Sequence, residues 1–463
     1  MRIRAGNYFG FYGTRCYLRN VLSHTDYLFN ETVYELLSLL QKKGECPQEE
    51  LLQELSEEYG LEDMEPFFRE MRELLGMLAE EGILCLDEGE PKGSCRKKTL
   101  DSSQQQKKMP RKAPSEETIS IPAQAGEWCA ENHRLFSASL ELTYRCNERC
   151  IHCYIDDETK QEYPKELSTV EWKRVLKELR DLGCMSVLLT GGEVLLRKDF
   201  LEIAAYAAKL GMLTDIYTNG YLLTEEMLLQ LLSLYPNSVS FSLYGGTASV
   251  HDQVTQVPGS FERSLRMIKL AKQAGADVYI KSVFLRQNLD DMDRLYALCR
   301  ELEIPLHANL TVVDSQNGVS ADFCRLSGHE QLQKALALLD TEKPGEGNPP
   351  PRDPDAQICN AGKNMLSISP DGDVFPCIMM KEWLGNVKQE SLHQIWQRLA
   401  VREGVCSLTM RDLCPECGQC NFLDTCSLCP GRTGTSKERR PVPSDVCEQA
   451  RERLDLIGGE RDE

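Results

Sequence analysis

Three thiols stand in the run Cys146-Asn147-Glu148-Arg149-Cys150-Ile151-His152-Cys153, a C-x3-C-x2-C spacing that can fold around one corner of a small iron–sulfur cube. Three thiolates ligate three irons. A four-iron cluster held this way keeps one iron open to a small molecule that chelates through an amine and a carboxylate. The competing chemistry is structural zinc, which favours four ligands arranged as paired C-x2-C knuckles.

The elements that must position these thiols begin at Leu135, where short apolar strands alternate with amphipathic helices. The pattern predicts strands at Ser137–Leu142, Met185–Thr190, Leu213–Thr218, Ser238–Tyr244, Val278–Leu285 and Leu306–Val313. The helices between and after them are expected at Thr169–Leu182, Phe200–Leu210, Glu225–Leu234, Phe261–Ala274, Asp290–Leu302 and Glu330–Asp340. Six strand–helix repeats give a parallel α/β sheet, most economically a partial (β/α)6 barrel. Chemistry on such folds sits at the carboxyl ends of the strands. The cysteine triad follows the first strand, Gly191-Gly192-Glu193 the second and Thr218-Asn219-Gly220 the third, so all three fall on one rim. Paired glycines allow close backbone approach, and a carboxylate beside them can accept from an ammonium.

The triad resembles the C-x3-C-x-aromatic-C signature of the radical S-adenosylmethionine (radical SAM) enzymes, with His152 in the ring-bearing position that lies near the adenine in that family. The resemblance implies a 4Fe-4S cluster on Cys146, Cys150 and Cys153 that binds S-adenosylmethionine. It makes Gly191, Gly192 and Glu193 the motif that holds the methionine amino group, and places Asn219, Ser242 and Lys281 among the cofactor contacts. Ser242 stands where the family commonly contacts a ribose hydroxyl. Alternation puts Lys281 and Ser282 on opposite faces, so only one points inward. Val194 replaces the proline that usually follows Gly-Gly-Glu, which puts the rigidity of that turn in question. His251 and Asp252 have a reading in proton transfer, ranked below helix capping and loop packing.

Thiols return after a connector, 342–357, dense in proline, glycine and charge. Cys359 and Cys377 bracket a predicted hairpin, Met365–Val374, and Cys414, Cys417, Cys420, Cys426, Cys429 and Cys447 follow. Residues 358–463 resemble the SPASM extension, which carries two auxiliary clusters on a C-x(9–15)-G-x4-C, C-x2-C-x5-C-x3-C, C pattern. The match departs where Cys426 and Cys429 are separated by two residues, and Cys414 is an added thiol. The resemblance implies one auxiliary 4Fe-4S cluster on Cys417, Cys420, Cys426 and Cys447 and a nearer one on Cys359, Cys377 and Cys429. The nearer cluster either takes a fourth ligand from Cys414 or Cys406 or keeps an open iron for a substrate thiolate. A zinc ribbon over Cys414–Cys429 is the alternative.

Residues 1–86 read as a winged-helix-like α+β domain. A hairpin over Tyr8–Leu18 precedes helices at Glu31–Gln41, capped by Asn30, at Gln48–Tyr59 and at Glu62–Glu81, and the apolar piece Ile83–Leu86 closes the unit. Winged helices often bind DNA, but residues 1–85 hold eight Lys+Arg against sixteen Asp+Glu, the wrong sign for phosphate. The order of elements resembles the leader-peptide recognition element of ribosomal-peptide maturases. That implies a precursor peptide bound through its leader as an added strand; a packing or dimerisation module is the plainer reading. Residues 87–134 read as a flexible linker on which this domain swings, with Cys95 and Cys129 as free thiols. The barrel then occupies 135–341.

The chain has 463 residues, 53 Lys+Arg and 72 Asp+Glu, a net charge of −19 that argues against a nucleic-acid partner. It shows no signal core and no apolar run long enough to span a bilayer, so a cytoplasmic enzyme without a membrane partner is expected. Twenty cysteines in a reducing compartment point to metal ligation rather than disulfides.

The resemblance implies the activity: one electron reaches bound S-adenosylmethionine from a donor such as a flavodoxin or ferredoxin, a 5′-deoxyadenosyl radical takes hydrogen from carbon, and an auxiliary cluster removes a second electron. The expected function is oxidative modification of a ribosomally made precursor peptide, forming a thioether from a cysteine sulfur to a carbon of another residue. The alternatives are carbon–carbon cross-linking, a formylglycine-forming sulfatase maturase, and, in another class, a non-enzymatic peptide chaperone or cluster scaffold. A DNA-binding redox regulator is the remote alternative.

Overall fold

The computed structural model describes residues 1–12, 15–59, 64–86, 121–161, 165–341, 352–401, 408–434 and 440–456. At the N-terminus, strands Asn7–Tyr12, Arg15–Asn20 and Thr25–Asn30 form an antiparallel sheet in that order. Helices Glu31–Lys43, Gln48–Tyr59 and Met64–Glu80 pack on one face of it, burying Leu36, Leu37, Leu51, Leu55 and Leu75 against Phe9, Cys16 and Leu18. The strand Thr25–Asn30 was not foreseen. Its last residue, Asn30, also caps the next helix, its side chain accepting from the Val33 N–H. Asn30→Ala is expected to weaken the first turn of that helix by about 1 kcal/mol, the usual worth of such a cap. Amides of residues 31–34 should then exchange roughly fivefold faster in the full chain.

The other face of this sheet meets the amino-terminal end of the barrel. Tyr8, Tyr12, Tyr17 and Val21 share a core with Met185 and Leu213, at the starts of the second and third barrel strands. Tyr8 donates its hydroxyl to the Tyr235 carbonyl at 2.8 Å, and Arg180 donates to the Phe9 carbonyl at 3.0 Å. Ala125 and Cys129 join this core from a helix, Ile121–Glu131, that lies within the expected linker. The expectation of a swinging domain is corrected by these contacts: the module is docked on the barrel base, and part of its connection is folded. Residues 87–120, with Cys95, lie outside the described residues.

The barrel strands are Ser137–Thr143, Ser186–Gly191, Leu213–Thr218, Ser238–Ser242, Val278–Val283 and Leu306–Asn309, all parallel and adjacent in chain order. Alternation divides their faces. Ala138, Leu140 and Leu142 pack with Trp172, Val175 and Leu176 of the covering helices, which leaves Ser139, Glu141, Ser242 and Lys281 on the inner face. Two features of the sheet were not legible in the sequence. The first strand carries a register shift between Glu141 and Thr143, just before the triad. A strand of the C-terminal region, Met365–Ile368, adds in parallel beside the first strand, Met365 opposite Ser137, and continues antiparallel through Asp373–Phe375 and Gly385–Asn386. The auxiliary domain thus begins as an extension of the barrel sheet, with Val374, Leu384, Val387, Leu392 and Trp396 in the barrel core. A separate small core of Met410, Leu413, Leu423, Leu428 and Val446 supports the later cysteines. Among the described residues no helix is long and apolar enough to cross a membrane.

Candidate functional site

The loop carrying Cys146, Cys150 and Cys153 is tied down at several points of its backbone. The Cys146 N–H donates to the Lys160 carbonyl at 3.1 Å, and the Arg149 and Ile151 N–H groups donate to Thr255 and Val254 at 3.0 Å each. The helix supplying those acceptors, Ala248–Thr255, was not foreseen. Before the triad, Arg145 forms a two-point pair with Glu166, which also takes the Thr143 hydroxyl and Arg197. Arg197 lies just beyond Gly-Gly-Glu, so this network joins the first two rim loops. Such mutual, partly buried charge pairs fix geometry more than they add stability.

The glycine pair has a reason different from the one expected. A Cβ on Gly191 would meet the Thr143 carbonyl oxygen at 2.2 Å, and one on Gly192 would meet the Arg145 and Tyr144 carbonyl oxygens at 2.3 and 2.5 Å. The close approach is to the backbone leading into the triad. It is locked there by the Gly192 N–H on Thr143 at 2.7 Å and the Glu193 N–H on Arg145 at 2.8 Å.

Glu193 is fully buried. Its carboxylate accepts from the Leu195 N–H at 3.0 Å, the Thr218 hydroxyl at 2.8 Å and the Asn219 N–H at 2.7 Å, while burial pushes its pKa up. The Leu195 contact caps a short 3-10 turn, Val194–Leu196, in which Val194 is buried. The rigidity questioned for lack of a proline is supplied by that cap and by apolar packing. Asn219 in turn donates to the Asn147 side chain at 3.0 Å, and its amide lies 4.0 Å from the Cys146 sulfur. The structure therefore brings Cys146, Gly191, Gly192, Glu193 and Asn219 together.

His152 packs edge-on against Tyr244 with centroids 4.6 Å apart, and Tyr244 stacks on His251 at 5.8 Å. Burial draws both histidines down to about 4, so each is neutral near pH 7. Ser242 lies beside the Tyr244 hydroxyl and offsets part of the rise that burial imposes on its pKa. His251 accepts the Tyr244 N–H at 3.0 Å, and Asp252 accepts from Gly259, Ser260 and Phe261 at the start of the next helix, which are packing and capping roles. Lys281 is register partner to Ser242 on the inner face, but its ammonium is 2.7 Å from His307 Nδ1 and lies over the Tyr217 ring. Ser282 points to the opposite side and is buried.

The donor set fits an iron–sulfur cluster with a small polar ligand. Burial pushes the Cys146 thiol up to about 12 and raises Cys150 and Cys153, so cluster binding must displace protons here. Around the triad, Asn147 Nδ2, Glu148 Oε1 and His152 Nδ1 are buried with no partner among the described residues. Buried polar atoms are normally satisfied, and this concentration beside three thiols is what a pocket for a polar ligand requires. Sequence reasoning missed Glu148, whose acid is pushed up to about 8 by burial; nothing but its place inside the triad marked it.

The C-terminal thiols separate into two groups. Cys359, Cys377 and Cys429 lie within electrostatic reach of one another. Cys417, Cys420, Cys426 and Cys447 form the other, with Cys414 in electrostatic reach of Cys417 and Cys447. The Cys414 thiol donates to the Glu416 carboxylate at 2.9 Å. Cys406 lies outside the described residues.

Residues 140–299 match the model of the Radical SAM superfamily, and residues 359–421 match the model of SPASM, an iron–sulfur cluster-binding domain. The chain is 27% identical over 330 residues to the AdoMet-dependent heme synthase of Methanosarcina barkeri (strain Fusaro / DSM 804), covering 65% of this chain and 94% of that protein. It is 28% identical over 312 residues to the antilisterial bacteriocin subtilosin biosynthesis protein AlbA of Bacillus subtilis (strain 168), covering 61% of this chain and 66% of that protein. Among solved structures, Streptococcus suis SuiB bound to precursor peptide SuiA shares the fold with a TM-score of 0.53 at 17% identity, covering 95% of this chain and 98% of that one. The protein is a radical SAM enzyme with a C-terminal SPASM domain. Its cofactors are a 4Fe-4S cluster that binds S-adenosylmethionine and auxiliary iron–sulfur clusters.

Proposed function

We propose that this radical SAM enzyme oxidatively cross-links a ribosomally made precursor peptide, forming a thioether from a cysteine sulfur to a carbon of another residue. The observation that carries the reading is the N-terminal module. Its three-stranded sheet ends in the strand Thr25–Asn30, which has no further strand beside it among the described residues, and an edge of this kind can take an extended peptide. The likeness to SuiB supports it, because a match over 95% of the chain takes in most of this module. AlbA, by its name, serves the biosynthesis of a bacteriocin.

In this reading Cys146, Cys150 and Cys153 hold the cluster that binds S-adenosylmethionine, and Glu193 receives the methionine ammonium. Its other hydrogen bonds come from backbone and a hydroxyl, so its acceptor positions are set before the ligand arrives. Gly191, Gly192 and Asn219 keep that carboxylate against the triad loop, while His152, Tyr244 and Ser242 line the adenosine end. Cys359, Cys377 and Cys429 would hold one auxiliary cluster and Cys417, Cys420, Cys426 and Cys447 the other. When bound, the cofactors supply a carbon-centred radical that abstracts hydrogen and a sink for the second electron. The chain's own contribution is to orient the ligand and exclude water. An electron donor such as a flavodoxin or ferredoxin completes the system.

The test is a search beside its gene for a short reading frame that encodes a cysteine-bearing peptide, and incubation of that peptide with reconstituted enzyme and S-adenosylmethionine. The expected product is lighter by a pair of hydrogens, resists thiol alkylation and forms only when the leader is present. Unchanged mass or leader-independent turnover overturns the reading. The 27% identity to an AdoMet-dependent heme synthase favours a second reading, synthesis of haem from a precursor; S-adenosylmethionine consumption driven by such a precursor and not by the peptide would establish it.

A further inference from the structure

Glu141 is the one charged side chain on the inner face of the first barrel strand, and it is fully buried. Three donors converge on its carboxylate: the Tyr144 hydroxyl at 3.3 Å, the Tyr154 hydroxyl, and the Lys381 ammonium at 3.1 Å. Their places in the chain give the cluster its meaning. Tyr144 stands two residues before Cys146, Tyr154 directly follows Cys153, and Lys381 lies four residues after Cys377. The Lys381 ammonium also rests 5.7 Å from the Tyr154 ring centre and 5.0 Å from that of Phe375, a setting that holds a cation between aromatic faces.

The lysine is equally well tied to the auxiliary thiols. The Met380 N–H lies 3.3 Å from the Cys377 sulfur and donates to the Cys377 carbonyl at 3.2 Å, closing a tight turn immediately before Lys381. Gly431, two residues after Cys429, lies so close that a Cβ would meet the Met379 carbonyl oxygen at 2.3 Å. One buried carboxylate therefore gathers both ends of the triad loop and the turn that carries Cys377.

We propose that the Glu141–Lys381 pair is a latch that fixes the auxiliary cysteine turn against the triad loop, with Lys381 as a positioning residue for the radical-generating centre although it belongs to the auxiliary domain. A buried carboxylate deprived of its cation is strongly destabilised, and its remaining partners, two neutral phenols, sit on the triad loop. Loss of the ammonium must therefore be felt there as well as locally. The latch is independent of which substrate the enzyme takes.

The test uses reconstituted holoenzyme under anaerobic conditions and needs no substrate. In Lys381→Met, amide exchange is expected to rise by about tenfold in both 144–155 and 376–384, and the electron paramagnetic resonance signal of the reduced, S-adenosylmethionine-bound triad cluster is expected to change shape. Lys381→Arg, which keeps the charge, should retain the wild-type signal and exchange within about twofold. Tyr154→Phe removes one donor and leaves the lysine, and is expected to raise exchange in both segments by a smaller factor. A rise confined to 376–384, or loss of auxiliary iron with an unchanged triad-loop exchange and signal, overturns the proposal. So does an unchanged Tyr154→Phe if Lys381→Met cannot be prepared folded.

Discussion

Replacing Cys146, Cys150 and Cys153 together by alanine is expected to lower reductive cleavage of S-adenosylmethionine by at least about a thousandfold, since no thiolate remains to hold the open-iron cluster. The fold is expected to survive. The loop's backbone is anchored on Lys160, Val254 and Thr255, and the preceding residues on Glu166, none of which uses a thiol. The variant should therefore keep its auxiliary iron and lose about four irons per chain. Iron analysis, unfolding midpoint and 5′-deoxyadenosine release measured on one preparation decide it. Cleavage persisting at more than about a tenth of the wild-type rate would remove the triad from its assigned role, and stoichiometric zinc in place of the lost iron would revive the zinc reading.

Excising the auxiliary thiols is a contrasting case, because the two groups stand on different supports. Cys377 sits in a segment whose neighbours Val374, Leu384 and Val387 belong to the barrel core, whereas Cys417 and Cys426 pack into the separate C-terminal core. Loss of the distal cluster can thus loosen its own small core while the barrel and the nearer thiols stay in place.

Much of this arrangement was legible in the sequence for a definite reason. The triad, Gly-Gly-Glu and Thr-Asn-Gly each follow a short strand in a run of strands alternating with amphipathic helices, and in such a run the loops after the strands open on one rim. Helix signals were equally local: Asn30 announced a cap, and the stripe Val33, Leu36, Leu37 and Leu40 announced a buried face, as found. What could not be read were relations between distant segments. No local pattern says that Met365 pairs with Ser137 or that Tyr8 reaches Tyr235. The same holds for Glu141 and Lys381, 240 residues apart. Glu141 looks like a polar position on an alternating strand, and Lys381 like a surface lysine, until the fold brings them together. The glycine pair was located correctly but explained incompletely, because the backbone it approaches belongs to another strand's loop.

That backbone approach sets the second large expectation, that Gly192→Ala cripples the site although it adds a single methyl. The new Cβ would lie 2.3 Å from the Arg145 carbonyl oxygen and 2.5 Å from that of Tyr144, where real Cβ atoms essentially never come within 3.0 Å. No flexible side-chain end can yield; the neighbours are main chain, fixed by the Glu193 N–H on Arg145 and by the Arg145–Glu166 pair. Either the Gly-Gly-Glu loop retreats, taking the Glu193 carboxylate with it, or the backbone entering Cys146 is displaced. Overpacking of this kind costs about 1–3 kcal/mol in stability, and a shift approaching 1 Å in a positioned group costs on the order of a hundredfold in rate. S-adenosylmethionine cleavage is accordingly expected to fall about a hundredfold while cluster iron is largely retained, because the three thiols are untouched. Gly76→Ala provides the control. Gly76 lies in the helix Met64–Glu80 with nothing within 4 Å of its added Cβ, so the same change there is expected to stabilise by up to about 1 kcal/mol and leave cleavage unaltered. Cleavage within about twofold of wild type in Gly192→Ala would show that the two rim loops can slide past one another, and that the glycine pair does not hold Glu193 against the triad.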